Sequence, residues 1–320
     1  MKYWRIPAFI FVVTFLMFFL YRKSSSDALL QTAIIDSASC WTGAGPYQIP
    51  VDSAGTIIRY GYQLITNTAA YLGPNGRVAH MSNGMNCQNC HLDAGTKPWG
   101  NNYGAVASTY PKIRARSGLK ESVEMRVNDC LQRSLNGFPL DSLSKEMRGI
   151  VAYIKWLGNE IPKGEKPKGT GIVDLPFLKR AADSAKGKKD FIISCASCHG
   201  INGQGKAALN GIGYLYPPLW GNNSYNDAAG LYRLSRFAGF IKNNMPNPCN
   251  YHHTILSTES AWDIAAYVNS QPRPHKDQSR DWPDITKKPI DCPIGPYSDN
   301  LSEKQHKYGP FRSNSTVGKK

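Results

Sequence analysis

Hydrophobic residues recur at helical spacing in two stretches of the chain, residues 144–157 and 257–269, which read as amphipathic helices. Residues 55–66 and 183–194 read as short helices. Apolar side chains that return every three or four positions share one side of a helix, so each amphipathic stretch can pack against a core. A short helix followed later by an amphipathic one occurs twice, which predicts a mainly α-helical chain with two domains in tandem.

Segments without apolar periodicity divide the chain. Residues 162–171 carry Lys, Gly and Pro in place of a repeating apolar pattern, which is typical of a linker. We therefore predict a first domain at residues 55–165 and a second at residues 171–275. Residues 24–54 form a linker before the first domain, and residues 276–320, which are polar and show no clear helix, form an extended C-terminal tail.

The N-terminus carries a long apolar run at residues 6–21, with Arg5 before it and Arg22 after it. A helix over this run would span about 24 Å, short of the roughly 30 Å hydrocarbon core of a bilayer. Interfacial aromatic residues and outward-reaching arginines would lengthen it, so residues 1–23 are predicted to be an uncleaved membrane anchor. A cleaved signal peptide is the alternative, although no small-residue cleavage site follows the run directly. In both cases the body of the protein is exported.

Composition and charge narrow the classes of function only slightly. The chain has 320 residues, of which 41% are hydrophobic and 19% charged, so it can bury a sizeable core and is not disordered throughout. Lys and Arg outnumber Asp and Glu by 38 to 23, which leaves a net charge of +15. This charge favours an anionic partner, which could be nucleic acid, a membrane surface, an acidic protein or a small anion.

The cysteines point to a cofactor. The motif Cys-x-x-Cys-His occurs twice, as Cys87-Gln88-Asn89-Cys90-His91 and as Cys195-Ala196-Ser197-Cys198-His199. In c-type cytochromes the two thiols of this motif bind the haem covalently and the adjacent His is the proximal iron ligand. A thioredoxin-like pair does not need the His, and a zinc ribbon brings its two Cys pairs much closer together. Two covalently bound haem c groups are therefore predicted, and nucleic-acid binding is a poor use of the charge of an exported haem protein.

Each haem also needs a second axial ligand or an open site, and this choice decides the function. In the second domain Met245 stands before a Pro in a loop ahead of the last helix, and a thioether there would raise the potential. The first domain has no such loop. Its residues 119–135 read as an amphipathic helix that carries Cys130, with Arg126 four positions before it and Arg133 three positions after it.

Arginines on adjacent helical turns favour the thiolate of Cys130 and attract an anionic substrate. Cys130 is therefore a candidate axial or catalytic thiolate, with a small buried hydrophobic residue as the simpler interpretation. Three methionines and one histidine are the competing ligands in this domain: Met81, Met85, Met125 and His80.

The chain resembles the thiosulfate dehydrogenase family of dihaem cytochromes c over residues 55–311. The resemblance rests on the segments CQNCHLDAGTKP (87–98), VNDCLQRSLNG (127–137), YPPLWG (216–221), AWDIAAYVNSQPRP (261–274) and QHKYGPF (305–311). It implies two tandem class I cytochrome c-like domains on the periplasmic side of the bacterial inner membrane. It also implies oxidation of two thiosulfate ions to tetrathionate, reversible in some members, with electrons passed to an acceptor cytochrome or another redox protein.

By the same resemblance Cys130 is the distal ligand opposite His91 and the sulfur at which chemistry occurs, and Met245 is the ligand opposite His199. Some members carry Lys immediately before that Met, whereas this chain has Asn244. Thiolate ligation would lower the first potential and thioether ligation would raise the second, so electrons would run from the first haem to the second.

The catalytic role of Cys130 leads to expectations for its neighbours. Arg126 and Arg133 would reduce the repulsion between two dianions, and Ser134 would donate a hydrogen bond. The alternative function is a non-enzymatic, membrane-anchored dihaem electron carrier, which needs no reactive sulfur between arginines. Cys249 and Cys292 have no haem role by their spacing, so in an oxidising compartment we expect a disulfide between them.

Overall fold

The computed structural model describes residues 40–311, and its regular structure is mainly helical. The helices are α1 (Ser53–Thr66), α2 (Thr68–Leu72), α3 (Leu92–Gly95), α4 (Val106–Thr109), α5 (Val123–Arg133), α6 (Lys145–Leu157), α7 (Ser184–Ser194), α8 (Ala196–His199), α9 (Leu234–Asn244), α10 (Thr258–Ser270) and α11 (Glu303–Tyr308). The strands form two antiparallel pairs, β1 (Lys112–Ile113) with β2 (Lys120–Glu121) and β3 (Lys206–Ala207) with β4 (Tyr214–Tyr216). The predicted mainly α-helical class is confirmed.

In the first domain α1 packs across α6, and both helices begin at side-chain caps. The Asp52 carboxylate accepts a hydrogen bond from the backbone N–H of Gly55, and the Ser144 hydroxyl accepts one from that of Met147. The two backbones approach closely where they cross, because a Cβ atom on Gly61 would lie 1.9 Å from the carbonyl oxygen of Gly149. Only a glycine fits at that crossing.

The second domain repeats this arrangement with α7 and α10. Asp183 caps α7 and Ser257 caps α10, each through a side-chain oxygen. A Cβ atom on Gly187 would lie 1.8 Å from the carbonyl oxygen of Asp263, so these helices also cross backbone to backbone at a glycine. The core beneath them contains the fully buried Phe191 and Trp262. The two domains therefore share one helical plan, as the repeated sequence pattern predicted.

Three elements differ from the sequence prediction. Helix α5 starts at Val123, later than the predicted residue 119, because Lys120 and Glu121 pair with β1 and Ser122 caps the helix. Helix α9 was not predicted, although its buried apolar residues recur at helical spacing. The C-terminal tail contains α11, where Ser302 and Gln305 form a capping box, so the prediction of a tail without a helix was wrong at this point.

The C-terminal tail returns to the first domain. The backbone N–H of Trp282 donates to the carbonyl of Arg116 at 2.6 Å, and Asp281 pairs with Arg133 on α5. A buried cluster joins the two domains as well, with Met85, Leu131 and Leu135 from the first and Tyr225 and Ala229 from the second. The end of α5 is therefore held by long-range contacts.

The predicted membrane anchor at residues 1–23 lies outside the described residues. Among residues 40–311, no helix is both long enough and apolar enough to cross a bilayer.

Candidate haem and active site

The first Cys-x-x-Cys-His motif lies in a tight turn held by side chains of the first domain. The backbone N–H of Cys87 donates to the Thr68 hydroxyl at 2.9 Å, and the Asn86 side chain accepts from the backbone N–H of Ala69 at 2.8 Å. These bonds dock the turn onto α2. Cys87 and Cys90 are therefore presented from a fixed backbone.

His91 has the orientation and charge state of a metal ligand. Its Nδ1 lies 2.5 Å from the carbonyl oxygen of Asn101, and a carbonyl can only accept, so Nδ1 carries the hydrogen. The Nε2 lone pair is then available to a metal ion. Burial lowers the pKa of His91 to about 4, so the ring is neutral at pH 7. Tyr103 stacks on this imidazole with ring centroids 4.5 Å apart.

The second motif repeats this geometry. The buried His199 donates from Nδ1 to the carbonyl oxygen of Pro217 at 2.8 Å, which again leaves Nε2 available. Burial lowers the pKa of His199 as well. Two oriented, neutral imidazoles, each beside two thiols on a fixed turn, fit two covalently bound haem groups.

A cavity of ≈ 480 Å³ adjoins the second motif. Cys195, Cys198 and His199 line it together with Met245 and mostly apolar side chains from α9 and α10. This size and lining suit a large apolar cofactor. The cavity thus brings Met245 and His199, which the sequence separates, into one site.

The same cavity extends to the first motif. Cys90 and its neighbours Gln88 and Asn89 also line it, so the two attachment motifs border one space. The attachment edges of the two haem sites are therefore neighbours.

Met245 follows the last residue of α9, and the residue before it is held on both sides. The Asn244 amide donates to the carbonyl of Phe240 at 2.8 Å and to the carbonyl of Trp99 at 3.1 Å. Trp99 belongs to the segment that follows the first motif. The loop of Met245 is therefore attached to the first domain.

Cys130 lies on α5, half-buried, beside the first attachment motif. Burial raises the pKa of Cys87 to about 11 and that of Cys90 to about 12, and in both cases the nearby Cys130 sulfur raises the pKa further. The same sulfur is the largest cause of the raised pKa of Arg126. The structure therefore brings Cys130, the first attachment pair and Arg126 together.

The two arginines that flank Cys130 have different surroundings. Arg126 Nη1 donates to Asp129 at 2.7 Å, and its side chain is 34% exposed. Arg133 contacts the same Asp129 and also makes two parallel bonds of 2.7 and 2.8 Å to the Asp281 carboxylate, with its side chain 12% exposed. Arg126 thus pairs with one carboxylate and remains partly exposed near the sulfur, whereas two carboxylates engage Arg133. Ser134 caps the end of α5 and donates its backbone N–H to the Cys130 carbonyl at 2.8 Å.

Further cations near Cys130 come from the extended segment around β1, which the sequence analysis missed. Lys112 and Arg114 lie close to Arg126. Burial first, and then the positive charges of Lys166, Arg114 and Arg126, lower the pKa of Lys112. The buried Tyr110 lies near Cys130 as well, and Lys112 stands 4.6 Å above its ring. The signal in the sequence was a basic residue at every second position from Lys112 to Arg116, which places them on one side of an extended strand.

The predicted disulfide between Cys249 and Cys292 is wrong, because both are buried free thiols. Lys97 and Lys242 surround Cys249, beyond the C-terminal end of α9. Cys292 lies near Arg233, at the N-terminal end of the same helix. An eleven-residue helix is about 16 Å long, far beyond the Cα separation that a disulfide allows.

Known proteins resemble the chain in both domains. Residues 77–162 match the family model "SoxA/TsdA, cytochrome c domain", and residues 184–272 match the model "Cytochrome c". Thiosulfate dehydrogenase of Stutzerimonas stutzeri is 36% identical over 71% of this chain and 70% of its own length. The protein of the same name from Psychrobacter arcticus is 37% identical over 73% of this chain and 69% of its own length.

A solved structure supports the same relationship. It is titled thiosulfate dehydrogenase (TsdBA) from Marichromatium purpuratum, in the form as isolated, and it superposes with a TM-score of 0.68 at 29% identity. The match covers 74% of this chain and 50% of that one, so this chain corresponds to half of the solved protein.

Proposed function

The chain belongs to the thiosulfate dehydrogenase family of dihaem cytochromes c, and from this membership we propose a mechanism in which Cys130 is the reacting sulfur. The family establishes an enzyme that oxidises thiosulfate and carries two covalently bound haem c groups. The ligands of the haems, the residues that bind the substrate and the electron acceptor belong to the proposal.

One observation carries the proposal. The Cys130 sulfur acts electrostatically on both thiols of the first attachment pair and on the Arg126 guanidinium. A sulfur in that position would lie beside a haem attached at the first motif and lies beside a partly exposed cation. We therefore assign His91 and Cys130 as the residues that would hold the iron of the first haem, and His199 and Met245 as those that would hold the iron of the second.

The reaction takes place in two steps at the Cys130 sulfur. In the first step the terminal sulfur of one thiosulfate forms a bond to the Cys130 thiolate, and two electrons leave. In the second step the terminal sulfur of another thiosulfate attacks the adduct sulfur that is bonded directly to Cys130, which breaks the bond to Cys130 and releases tetrathionate. The thiolate is regenerated, and no proton is consumed. When bound, the two haems would supply the electron-accepting centres that this two-electron oxidation needs.

Basic residues make the meeting of two dianions feasible. Arg126 lies near the Cys130 sulfur, Lys112 and Arg114 lie near Arg126, and guanidinium groups bind oxyanions through paired hydrogen bonds. Arg126 is partly exposed and lies near the Cys130 sulfur, so it is the principal substrate-binding residue in this proposal. Ser134 donates a hydrogen bond to the substrate, and Arg133 holds the end of α5 in place through Asp281.

The shared cavity supports electron transfer within the protein. Cys90 of the first motif and Cys195 of the second line the same space, so haems attached there would be neighbours. A thiolate at the first site and a thioether at the second would give a downhill order of potentials. An acceptor cytochrome or another redox protein would take the electrons from the second site.

The cytochrome c domains indicate a periplasmic protein, since haem c attachment takes place after export. In this proposal residues 1–23 hold the protein at the inner membrane, and a cleaved signal would instead release it into the periplasm.

The test is thiosulfate-dependent ferricyanide reduction by the purified holoprotein, with tetrathionate quantified. Cys130→Ala should abolish turnover while both haems stay attached, because the thiolate that forms the adduct is lost. Cys249→Ala is the matched control, and it should keep wild-type turnover. Near-normal tetrathionate formation by Cys130→Ala would refute the mechanism. Absence of tetrathionate with the intact wild type would favour a non-enzymatic electron carrier.

A further inference from the structure

Exposed aliphatic side chains are concentrated in one part of the second domain. Six of the sixteen exposed large hydrophobic residues in the described part of the chain fall between residues 192 and 215. We name these six residues the aliphatic surface: Ile192, Ile193, Ile201, Leu209, Ile212 and Leu215. A local concentration of exposed apolar side chains on a soluble domain indicates a binding surface.

The aliphatic surface surrounds the second haem attachment motif. Ile193 precedes Cys195 by two residues, and Ile201 follows His199 by two residues. An extended chain covers at most about 3.6 Å per residue, so these side chains lie next to the motif. Leu215 lines the haem cavity, so the surface borders the cavity.

The hairpin of β3 and β4, which is part of this surface, packs against the first domain. A Cβ atom on Gly213 would lie 2.8 Å from the Cβ of Ala69 and 3.1 Å from the carbonyl oxygen of Gly84, so the hairpin backbone rests on the first domain. The backbone N–H of Ala208 donates to the Gly213 carbonyl at 3.1 Å and closes the turn. Leu209, at the tip, is fully exposed on this braced hairpin.

Lysines accompany the aliphatic side chains. Lys186, Lys189 and Ile193 are spaced by three and four residues on α7, so they share one outward face, and all three are exposed. Lys206 on β3 is exposed as well. A positive rim beside an apolar centre favours a partner with the opposite charge around its own contact site.

We propose that the aliphatic surface, with its lysine rim, docks the electron acceptor, and that this acceptor is a small soluble one-electron carrier protein with an acidic contact face. The proposal rests on the proposed function, because it gives the electrons of that reaction their exit. Oxidation of two thiosulfate ions to one tetrathionate releases two electrons. Two oxidised carriers that dock in turn are each reduced by one electron.

The features of the surface favour this occupant over others. Electron-transfer complexes are small and short-lived, and a few aliphatic side chains within a charged rim suit such an encounter. A second copy of this chain would carry the same +15 charge and the same lysines, so like charges would oppose self-association. An electron acceptor must come close to the haem, so a surface that borders the haem cavity suits an acceptor. A lipid surface has no such requirement.

The experiment compares two doubly substituted holoproteins with the same change of charge. The surface variant is Lys189→Glu with Ile193→Asp. The control is Leu143→Asp with Lys304→Glu, which alters exposed residues of the first domain and the tail. Ile193 and Leu143 are matched in exposure, at 81% and 80%. The probes are an oxidised acidic c-type cytochrome, a basic mitochondrial cytochrome c, and ferricyanide.

The surface variant should reduce the acidic cytochrome with kcat/KM lowered by at least ~10-fold, and the control should stay within ~2-fold of wild type. Ferricyanide reduction at high ionic strength should stay within ~2-fold of wild type in both, because this small anion needs no docking surface and salt screens the altered charges. Isothermal titration without thiosulfate should show weaker binding of the acidic cytochrome to the surface variant. The wild-type rate with this cytochrome should fall as salt is added, and the basic cytochrome should be the poorer acceptor.

Several results would overturn the proposal. They are equal losses in both variants, no loss in the surface variant, or equal rates with acidic and basic cytochromes. Binding of wild type, but not of the surface variant, to vesicles of phosphatidylglycerol would instead assign the surface to a membrane. Dimers of wild type that dissociate in the surface variant would assign it to self-association. A wild type that fails to reduce ferricyanide would refute the proposed function, while titration would still test the docking.

Discussion

The side-chain amide of Asn244 donates a hydrogen bond of 3.1 Å to the backbone carbonyl of Trp99. Asn244 immediately precedes Met245, and Trp99 stands two residues before Asn101, whose carbonyl orients His91. One backbone segment therefore contacts both the proximal ligand assigned to the first haem and the loop of the distal ligand assigned to the second. A change at either site can reach the other through this segment.

Replacing Asn244 should loosen the loop of Met245. Asn244→Leu removes the bonds to Trp99 and Phe240 and should cost about 1 kcal/mol of stability for each bond lost. It should also shift the midpoint potential of the second haem, which a redox titration followed by visible spectroscopy measures. The exposed Asn202→Leu is the control, and equal potentials in the two variants would contradict a positioning role.

The tail should stabilise the helix that carries Cys130. Arg133 and Asp281 form a bidentate pair in which both side chains are largely buried, at 12% and 10% exposure. A double-mutant cycle with Arg133→Ala and Asp281→Ala, measured by denaturant unfolding, should give a coupling energy of about 1–3 kcal/mol. Additive effects of the two substitutions would show that the pair does not stabilise the fold.

Arg126 should determine the affinity for thiosulfate. Loss of a charge-assisted hydrogen bond costs about 1.5–3 kcal/mol, so Arg126→Ala should raise KM for thiosulfate by roughly 10-fold or more. Steady-state kinetics with ferricyanide measures this change. Arg148→Ala, at an exposed position on α6, is the control and should leave KM unchanged. An unchanged KM in Arg126→Ala would remove Arg126 from the substrate site.

Thiosulfate binding should weaken at a lower pH than the pKa of an ordinary lysine would give. Burial, followed by the neighbouring cations Lys166, Arg114 and Arg126, lowers the pKa of Lys112 below 10.5. Lys112 is charged below its pKa and neutral above it, so KM for thiosulfate should rise as the pH passes that lowered value. Lys112→Arg should move this rise to higher pH, because guanidinium keeps its proton. Identical pH profiles for the two proteins would exclude Lys112.

Cys249 and Cys292 should stay unlinked even in an oxidising compartment. The two thiols lie at opposite ends of α9, where no disulfide can form without unfolding that helix. Mass spectrometry of peptides from the non-reduced holoprotein should show both as separate thiols. A peptide that links the two cysteines would contradict the structure at this point.

The sequence alone determined what depends on neighbouring residues. Both haem motifs are contiguous, so the thiols and imidazoles could be recognised without a fold. The caps Asp52, Ser144, Asp183 and Ser257 and the helical periodicity act within a few residues, and the helices they predict are present. The capping box of α11 and the alternating cations at β1 were equally readable, although they were missed.

Only the tertiary structure decided which distant residues meet. It places Asp281 on Arg133, Trp99 on Asn244 and the β1 cations near Arg126, and it separates two cysteines that the sequence left free to pair. Such long-range contacts depend on the angles at which the helices cross and on the path of the C-terminal tail along the first domain. No local sequence pattern encodes either. Arg126 and Arg133 look equivalent on a helix in isolation. The Asp281 carboxylate, from the C-terminal tail, pairs with Arg133 and so fixes the end of α5, whereas Arg126 stays beside the sulfur.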